Sequence, residues 1–270
     1  MADGRARMSE GRWGRGDNHD HIAASATLQI SVEALSPIRH LPSVIQIMCG
    51  RFGLTRPEAL KLERFGITEL PPLVPRYNIP PSSDILVVRE RKGGTEAEMI
   101  RWGLVPSWAK DPSIGNRMAN VRSDTALEKG AFRAAMQKRR CLIPADVFYE
   151  WQDVPGQKRR KPYAIAIRDG EIFALGGLWE AWRAKESGEW LITCAILTTE
   201  PNELLEPIHD RMPVIIRPGD YKAWLDQSTK IADVRRLVGP FSPDEMRTWE
   251  IGLLVNDPKT DDARVMAPVD

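Results

Sequence analysis

A cysteine directly follows a methionine at Met48-Cys49, and this order permits a reaction that an internal cysteine cannot perform. If translation begins at Met48, removal of the initiator methionine leaves Cys49 with a free α-amine beside its thiol. The reference pKa values of these groups, about 8 and about 8.5, leave a usable share of both nucleophiles at neutral pH. The amine can condense with an aldehyde to an imine, and the thiol can then close a five-membered thiazolidine ring. If Cys49 is internal, the simpler interpretation is a small buried hydrophobic residue.

Two further segments contain residues suited to acid–base chemistry or anion binding. Glu150 lies between aromatic residues in Phe148-Tyr149-Glu150-Trp151, where its pKa could be raised for proton transfer. A solvent-facing glutamate at a strand end explains the same pattern equally well. His209, the only histidine after residue 47, is followed closely by Arg211, a pair that suits an anion site. A lone histidine is nevertheless more often structural than functional.

Two other features are compatible with nucleic-acid binding. Asn120 and Arg122 are two residues apart, so their side chains share one face if this segment is extended. The neighbouring Ser123 or Asp124 could simply cap a helix. The chain also contains nine tryptophans. These indicate either a tryptophan-rich core or rings that stack on bases, and composition alone does not choose between them.

Composition and missing motifs exclude several classes of protein. The chain has 270 residues, 42% hydrophobic and 28% charged, as in soluble globular proteins, and its net charge of +1 argues against a strongly basic nucleic-acid coat. Three widely spaced cysteines indicate neither a disulfide framework nor a zinc site, so we expect no metal and no cofactor. Phosphate-loop, dinucleotide, zinc-protease and serine-hydrolase motifs are missing. Without a membrane-length apolar run or a secretory signal, we expect a cytoplasmic protein that makes no membrane contact.

The apolar pattern predicts an α+β fold in which mainly antiparallel strands outnumber helices. Residues 1–47 show no sustained amphipathic period and are interpreted as a disordered or non-native extension, whereas residues 48–270 are predicted to form one domain. The predicted strands cover 85–89, 98–104, 141–145, 163–167, 171–178, 190–197 and 214–216. One predicted helix begins at a capping box over 55–58 and ends at Gly66, and the others begin at Asp124, Gly219 and Ile231. Residues 71–81 are predicted to be a proline-rich loop.

Six short motifs occur in order along the predicted domain. They are Met-Cys-Gly-Arg-Phe at 48–52, Arg-Tyr-Asn-x-x-Pro at 76–81, Trp-Gly-Leu-Val-Pro at 102–106, Asn-x-Arg-x-Asp-Thr at 120–125, Phe-Tyr-Glu-Trp at 148–151 and Ile-His-Asp-Arg-Met-Pro at 208–213. Each is weak alone, but together they resemble the SOS-response-associated peptidase (SRAP) family, the abasic-site processing proteins. The resemblance implies a barrel-like core of mainly antiparallel sheets with peripheral helices. It also implies capture of abasic sites in single-stranded DNA, where the ring-opened deoxyribose exposes an aldehyde.

The resemblance also assigns roles to individual residues. Cys49 would form the crosslink and be the site of the self-processing that exposes its amine, while Asn120 would position the reacting centre. Glu150 would move protons during imine formation and the related lyase or reversal chemistry, and His209 would protonate the sugar ring oxygen. The implied DNA-binding residues are Arg51, Arg122 and Arg211 for phosphates, and Pro81, Trp102 and Trp108 for bases.

This sequence departs from the family pattern because 47 residues precede Met48. We favour a start codon assigned too far upstream over autoproteolytic removal of a genuine pro-segment, and over a member that has lost crosslinking. The leading hypothesis is a monomer that forms a thiazolidine through Cys49 with abasic single-stranded DNA and protects the lesion, associating with the nucleoid when bound. The alternatives are a cysteine peptidase with His209 as its base and a non-covalent single-stranded DNA-binding module.

Overall fold

The computed structural model describes residues 49–269, so the predicted extension over 1–47 lies outside the described residues. The strands are β1 (Arg51–Leu54), β2 (Arg76–Ile79), β3 (Asp84–Arg91), β4 (Gly94–Trp102), β5 (Asn120–Arg122), β6 (Arg140–Ala145), β7 (Val147–Gln152), β8 (Lys161–Ile167), β9 (Phe173–Arg183), β10 (Trp190–Thr199), β11 (Met212–Pro213), β12 (Ile215–Ile216) and β13 (Met246–Glu250). The α-helices are α1 (Leu62–Phe65), α2 (Gly130–Lys138), α3 (Tyr221–Leu225) and α4 (Ile231–Arg236). Within this described part, no helix has the length and apolar character needed to cross a membrane.

Five strands close into a barrel. β10 pairs with β4, β4 with β3, β3 with β6 and β6 with β9, and β9 returns to β10. The β4–β10 pair is parallel and the other four pairs are antiparallel. β5 and β11 extend the sheet beside β10, and β12 extends it beside β9. The α+β class and the barrel-like core are therefore confirmed.

The second sheet brings the start of the described chain beside the middle of the sequence. Its strand order is β13-β8-β7-β1-β2, and every pair is antiparallel. β1 pairs with β7 so that Arg51 lies opposite Tyr149. Because the strands run in opposite directions, the residues just before Arg51 continue past Tyr149 towards Glu150. This register carries Cys49 to the Glu150 end of β7.

Apolar side chains from the two sheets form one core, and the helices cover a second. Phe52 of β1 and Phe148 of β7 belong to the same buried cluster as Val87 of β3. A separate cluster joins barrel residues to the helices, including Phe132 of α2 and Trp224 of α3. Burying one large apolar side chain stabilises a fold by about 1.5–3 kcal/mol, so these clusters supply the main force that holds the site's strands in place.

A close approach of two glycines places β5, the strand that contains Asn120. Gly103 has φ +135°, and a Cβ there would lie 2.6 Å from the carbonyl oxygen of Gly115. Only glycine is comfortable in this conformation and at this spacing. The N–H of Leu104 then donates to Met118 O at 3.0 Å, and β5 pairs in parallel with β10, with Asn120 opposite Ile196.

Several predicted boundaries differ from the structure. The helix expected from the capping box is replaced by a 3-10 turn over Pro57–Ala59 and the single-turn α1, because Thr55 bonds to Asp146 instead of capping a helix. The expected stop at Gly66 is confirmed, with φ +67°. The predicted loop over 71–81 contains β2, and the helix expected at Asp124 begins only at Gly130.

Candidate active site

Cys49 is almost completely buried at the edge of the smaller sheet. Only 1% of its surface is exposed, and its φ of +48° lies in the left-handed region that non-glycine residues rarely adopt. Burial raises the pKa of its thiol, and the nearby charge of Glu150 raises it further. The Cys49 sulfur therefore favours the neutral thiol over the thiolate.

Glu150 lies within reach of the main chain of Cys49. The backbone N–H of Cys49 donates a hydrogen bond to the Glu150 carboxylate, and only 1% of the Glu150 surface is exposed. Burial raises the pKa of Glu150 well above its usual range, and this effect outweighs the Cys49 hydrogen bond, which lowers it. Within residues 49–269, Oε1 of Glu150 has no hydrogen-bond partner, so this oxygen is placed to meet a proton or a substrate atom.

His209 lies against Glu150 from the segment that precedes β11. Its Nε2 is 3.9 Å from Oε2 of Glu150, and both side chains are buried. The backbone N–H of Arg211 donates to His209 Nδ1 at 3.1 Å, which assigns the proton of the neutral ring to Nε2. Burial lowers the pKa of His209, although the adjacent Asp210 carboxylate opposes this shift. In this state Glu150 favours its acid form and His209 its neutral form.

Asn120 touches Cys49 from the opposite sheet. Its Nδ2 donates to the carbonyl oxygen of Cys49 at 3.4 Å, a long hydrogen bond across the junction of the two sheets. The structure therefore brings all four predicted catalytic residues, Cys49, Asn120, Glu150 and His209, into one cluster. Their roles stay a prediction, because proximity alone assigns none.

Two of the predicted phosphate-binding arginines share one carboxylate. Arg122 donates to Asp124 at 2.7 Å, and Arg211 approaches the same carboxylate at 3.4 Å. The hydrogen bond from Arg122 lowers the pKa of Asp124 to about 2, so Asp124 stays charged at neutral pH. Arg122 is exposed, whereas Arg211 is buried and donates to Thr198 O at 2.6 Å. Arg122 is thus the accessible cation of this pair.

Arg51 is held by the protein itself. Its Nη1 donates to Asn78 Oδ1 at 2.8 Å and to Val255 O at 2.7 Å. The Nδ2 of fully buried Asn78 in turn donates to the carbonyl oxygens of Val255, Asp257 and Thr260. Arg51 therefore anchors the C-terminal segment beside β1. A contact between its other N–H groups and a phosphate stays a prediction.

The residues predicted to contact bases lie in different environments. Trp102 is fully buried, and its Nε1 donates to Ala119 O at 2.8 Å, so its ring packs in the core and does not present a face to a base. Trp108 is 64% exposed and is the accessible ring of the two. Pro81 is half-buried in the turn between β2 and β3. A contact of Trp108 and Pro81 with bases stays a prediction.

Two charged residues near the site were given no catalytic role in the sequence analysis. Asp210 places its Oδ1 3.0 Å from His209 Nδ1, and its side chain is 83% exposed. Arg160, in the turn after β7, acts electrostatically on both Glu150 and His209. Asp210 lies inside the motif at 208–213, so its position near the site could have been predicted from the sequence. Arg160 comes near the site only because the chain folds back between β7 and β8.

No group of three or more metal-ligating side chains occurs among the described residues. Cys49, Cys141 and Cys194 are all buried and free of disulfides.

Comparisons with known proteins show what the chain is similar to. The family model for SOS response associated peptidase (SRAP) matches residues 48–258. Abasic site processing protein YoqW of Bacillus subtilis is 41% identical over 216 residues, covering 78% of this chain and 96% of that relative. Abasic site processing protein HMCES of Rattus norvegicus is 32% identical over 273 residues, covering 83% of this chain and 76% of that relative.

Solved structures with similar folds extend the comparison. A crystal structure of a protein from Bacteroides thetaiotaomicron matches with a TM-score of 0.67 and 27% identity, covering 73% of this chain and 87% of that one. A protein from Bordetella bronchiseptica matches with a TM-score of 0.65 and 26% identity, covering 76% of this chain and all of that one.

Proposed function

Because the chain belongs to the SOS response associated peptidase family, we propose that it processes abasic sites in single-stranded DNA by bonding covalently to them through Cys49. Relatives at 41% and 32% identity are named abasic site processing proteins, and this supports the lesion as substrate. The observation that carries the proposal is the hydrogen bond from the Cys49 backbone nitrogen to the buried Glu150 carboxylate. That nitrogen becomes the reacting amine once the Met48–Cys49 bond is absent.

The proposed reaction uses both nucleophiles of Cys49. The amine attacks the aldehyde carbon of the ring-opened sugar, and the carbinolamine loses one water to give an imine. The thiol then adds to the imine carbon, its proton passes to the nitrogen, and the thiazolidine closes. One C–N and one C–S bond form, and one water leaves. The burial of Cys49 would shield the adduct from bulk water.

Glu150 and His209 supply the proton transfers in this scheme. Glu150 accepts a proton from the attacking amine and returns it to the departing hydroxyl, which is general acid–base catalysis by one carboxyl group. Its raised pKa suits this double role because it makes the carboxylate a stronger proton acceptor than that of an ordinary glutamate. For sugar opening, His209 acts in its imidazolium form: it gives the Nε2 proton to the ring oxygen and is left neutral. The bond between the ring oxygen and C1 breaks, and the C1 hydroxyl releases its proton to water as the aldehyde forms.

The proposal requires a free amine at Cys49, and we therefore propose that the active form of the 48–270 domain begins at Cys49. Residues 1–48 would be absent from the active protein, whether through translation from Met48 or through hydrolysis of the Met48–Cys49 bond. The left-handed backbone at Cys49 supports this view: φ is undefined for an N-terminal residue, so the local strain disappears once that bond is gone.

A cysteine peptidase is the weaker candidate. Peptide hydrolysis by cysteine needs a thiolate, and burial raises the pKa of the Cys49 thiol and so opposes thiolate formation. Thiazolidine closure instead begins with the amine, and the thiol reacts in the second step. The buried site thus favours amine-first chemistry over direct attack by sulfur.

The test incubates two proteins, residues 1–270 and a chain beginning at Met48, with a single-stranded oligonucleotide carrying one abasic site. Denaturing gels report a heat-stable adduct, and mass spectrometry reads each N-terminus. We expect an adduct wherever Cys49 is N-terminal. We expect none with Cys49→Ala, or with a tetrahydrofuran lesion that lacks the aldehyde.

An adduct that persists with the tetrahydrofuran lesion would contradict the proposal. So would the absence of an adduct from a folded protein whose mass shows a free N-terminal Cys49. Cys49→Ser retains the amine but loses the thiol. It should give an imine that is trapped only by borohydride, which separates the two nucleophiles.

A further inference from the structure

A cleft of about 510 Å³ opens beside the buried Glu150–His209 pair and is lined in part by charged side chains. Its walls include His209 together with Asp153, Glu206 and Asp210. Asp153 belongs to the turn that connects β7 to β8, and Glu206 and Asp210 belong to the segment before β11. The pair that would move protons is therefore bordered by charges from two separate segments.

Arg160 is a cation next to this border, paired with one of the carboxylates that line the cleft. It follows the turn after β7, and its Nε lies 3.8 Å from Oδ1 of Asp153, at the edge of the cleft. Its positive charge lowers the pKa of both Glu150 and His209. For Glu150 this opposes the larger effect of burial, and for His209 it adds to it. Arg160 thus favours loss of a proton from both members of the pair.

Asp210 acts in the opposite direction. Its carboxylate lies 3.0 Å from His209 Nδ1, close enough to accept a hydrogen bond when that nitrogen is protonated. Its negative charge raises the pKa of both His209 and Glu150, and Asp153 adds a smaller increase to the pKa of His209. Asp210 thus favours the imidazolium form of His209 and the acid form of Glu150.

We propose that Arg160 and Asp210 are opposed positioning residues that set how many protons the Glu150–His209 pair holds. The consequence for catalysis rests on the proposed function. Sugar-ring opening needs a proton on the pair, whereas activation of the Cys49 amine needs an unprotonated Glu150 carboxylate that can accept one. The two charges shift the balance between these states in opposite directions.

The inference is tested by the titration of His209 in the full chain, followed by NMR of its imidazole carbon protons. The chain has four histidines, and the signal of His209 is identified as the one missing from His209→Gln. The variants are Arg160→Gln and Asp210→Asn. The matched controls are Arg159→Gln, an exposed cation in the same turn, and Glu206→Gln, an exposed carboxylate on the same cleft.

Arg160→Gln should raise the titration midpoint of His209, and Asp210→Asn should lower it. Each shift should be about half a pH unit, as one charge produces over several ångströms of partly solvated protein. Arg160→Lys and Asp210→Glu should restore most of each shift, because they restore the charge. An unmoved midpoint, or controls that move it as far as the variants do, would overturn the inference.

A second measurement separates this inference from the proposed function. In protein with N-terminal Cys49, the pH profile of adduct formation should move to higher pH for Arg160→Gln and to lower pH for Asp210→Asn. If the wild-type protein forms no adduct, the proposed function fails while the His209 titration still decides the role of the two charges. If adducts form but the midpoints do not move, only this inference fails.

Discussion

The backbone nitrogen of Cys49 donates a hydrogen bond to the carboxylate of Glu150, and both residues are 1% exposed. An amide N–H gains about 1.5–3 kcal/mol from a hydrogen bond to a charged acceptor. The cost of burying the carboxylate is larger, which is why the pKa of Glu150 rises despite the bond. A stable fold gains little from this arrangement. A reacting amine at the same position would gain a proton acceptor within contact distance.

Glu150→Gln should slow adduct formation by about 10²- to 10⁴-fold, the usual contribution of a general acid–base group. Glutamine keeps the size and an acceptor oxygen of the side chain but cannot take or release the proton. The measurement is the single-turnover rate of adduct formation on a single-stranded abasic oligonucleotide. The exposed Glu203→Gln serves as the control and should react at the wild-type rate. A Glu150→Gln protein that reacts as fast as wild type would remove Glu150 from the mechanism.

The same variant should alter how stability depends on pH. Since the pKa of Glu150 is raised in the folded state, the folded protein binds this proton more tightly than the unfolded chain. Its contribution is therefore complete below the unfolded value of about 4.3 and is lost as the pH rises towards the folded pKa, by at most about 1.4 kcal/mol per pH unit. Urea unfolding should show Glu150→Gln gaining stability relative to wild type between pH 5 and pH 8. A constant difference would mean that Glu150 titrates normally.

The fold class was predictable because the strands leave strong local signals, whereas the candidate catalytic residues were singled out by a resemblance that rests on six motifs, each weak alone. Alternating strands such as β8 and the buried run of β6 were recognisable from their apolar patterns. β2 was missed because it lies in a proline-rich stretch, and it forms only by pairing with β1 and through main-chain bonds to Asp261. Such distant partners leave no periodic mark in the sequence.

The site residues were predicted by type, and their surroundings were not. Nothing near Trp102 in the sequence separates it from Trp108, yet one is fully buried and the other is 64% exposed. Likewise, Arg122 and Arg211 are far apart in sequence, and their common partner Asp124 is evident only in the folded chain. Burial and shared partners arise from tertiary packing, which residue types and spacing do not encode.

Arg122→Gln and Arg211→Gln should separate DNA binding from folding. Arg122 is exposed, so its loss should leave stability unchanged and reduce the salt dependence of single-stranded DNA binding by about 0.7 log units per log unit of salt. Arg211 is buried and bonds to Thr198 O, so its loss should cost about 1–3 kcal/mol of stability. Binding is measured with Cys49→Ala proteins on a single-stranded oligonucleotide that carries a tetrahydrofuran lesion, which has no aldehyde, so that neither an imine nor a thiazolidine can form. An unchanged salt slope for Arg122→Gln would mean that this arginine does not contact a phosphate.

Substitutions of Trp102 and Trp108 should separate a role in the core from the predicted contact with DNA bases. Trp102→Ala removes a fully buried ring that packs edge-on against Phe52 at 5.3 Å, so it should destabilise the fold by about 3–5 kcal/mol. Trp108→Ala removes an exposed ring, so thermal unfolding should stay at the wild-type temperature. If Trp108 stacks on a base, single-stranded DNA affinity in the Cys49→Ala background should fall by about 1–3 kcal/mol, whereas Trp108→Phe should retain part of it because a smaller ring still stacks.

Trp190→Ala is the matched control for that measurement, because Trp190 is also 64% exposed but lies at the start of β10, six residues before the Ile196 that pairs with Asn120. Its loss should change neither unfolding nor DNA affinity. Equal losses of affinity for Trp108→Ala and Trp190→Ala would indicate a general effect of exposed rings. An unchanged affinity for Trp108→Ala would place the base contacts elsewhere on the surface, since the buried Trp102 has no free face with which to replace it.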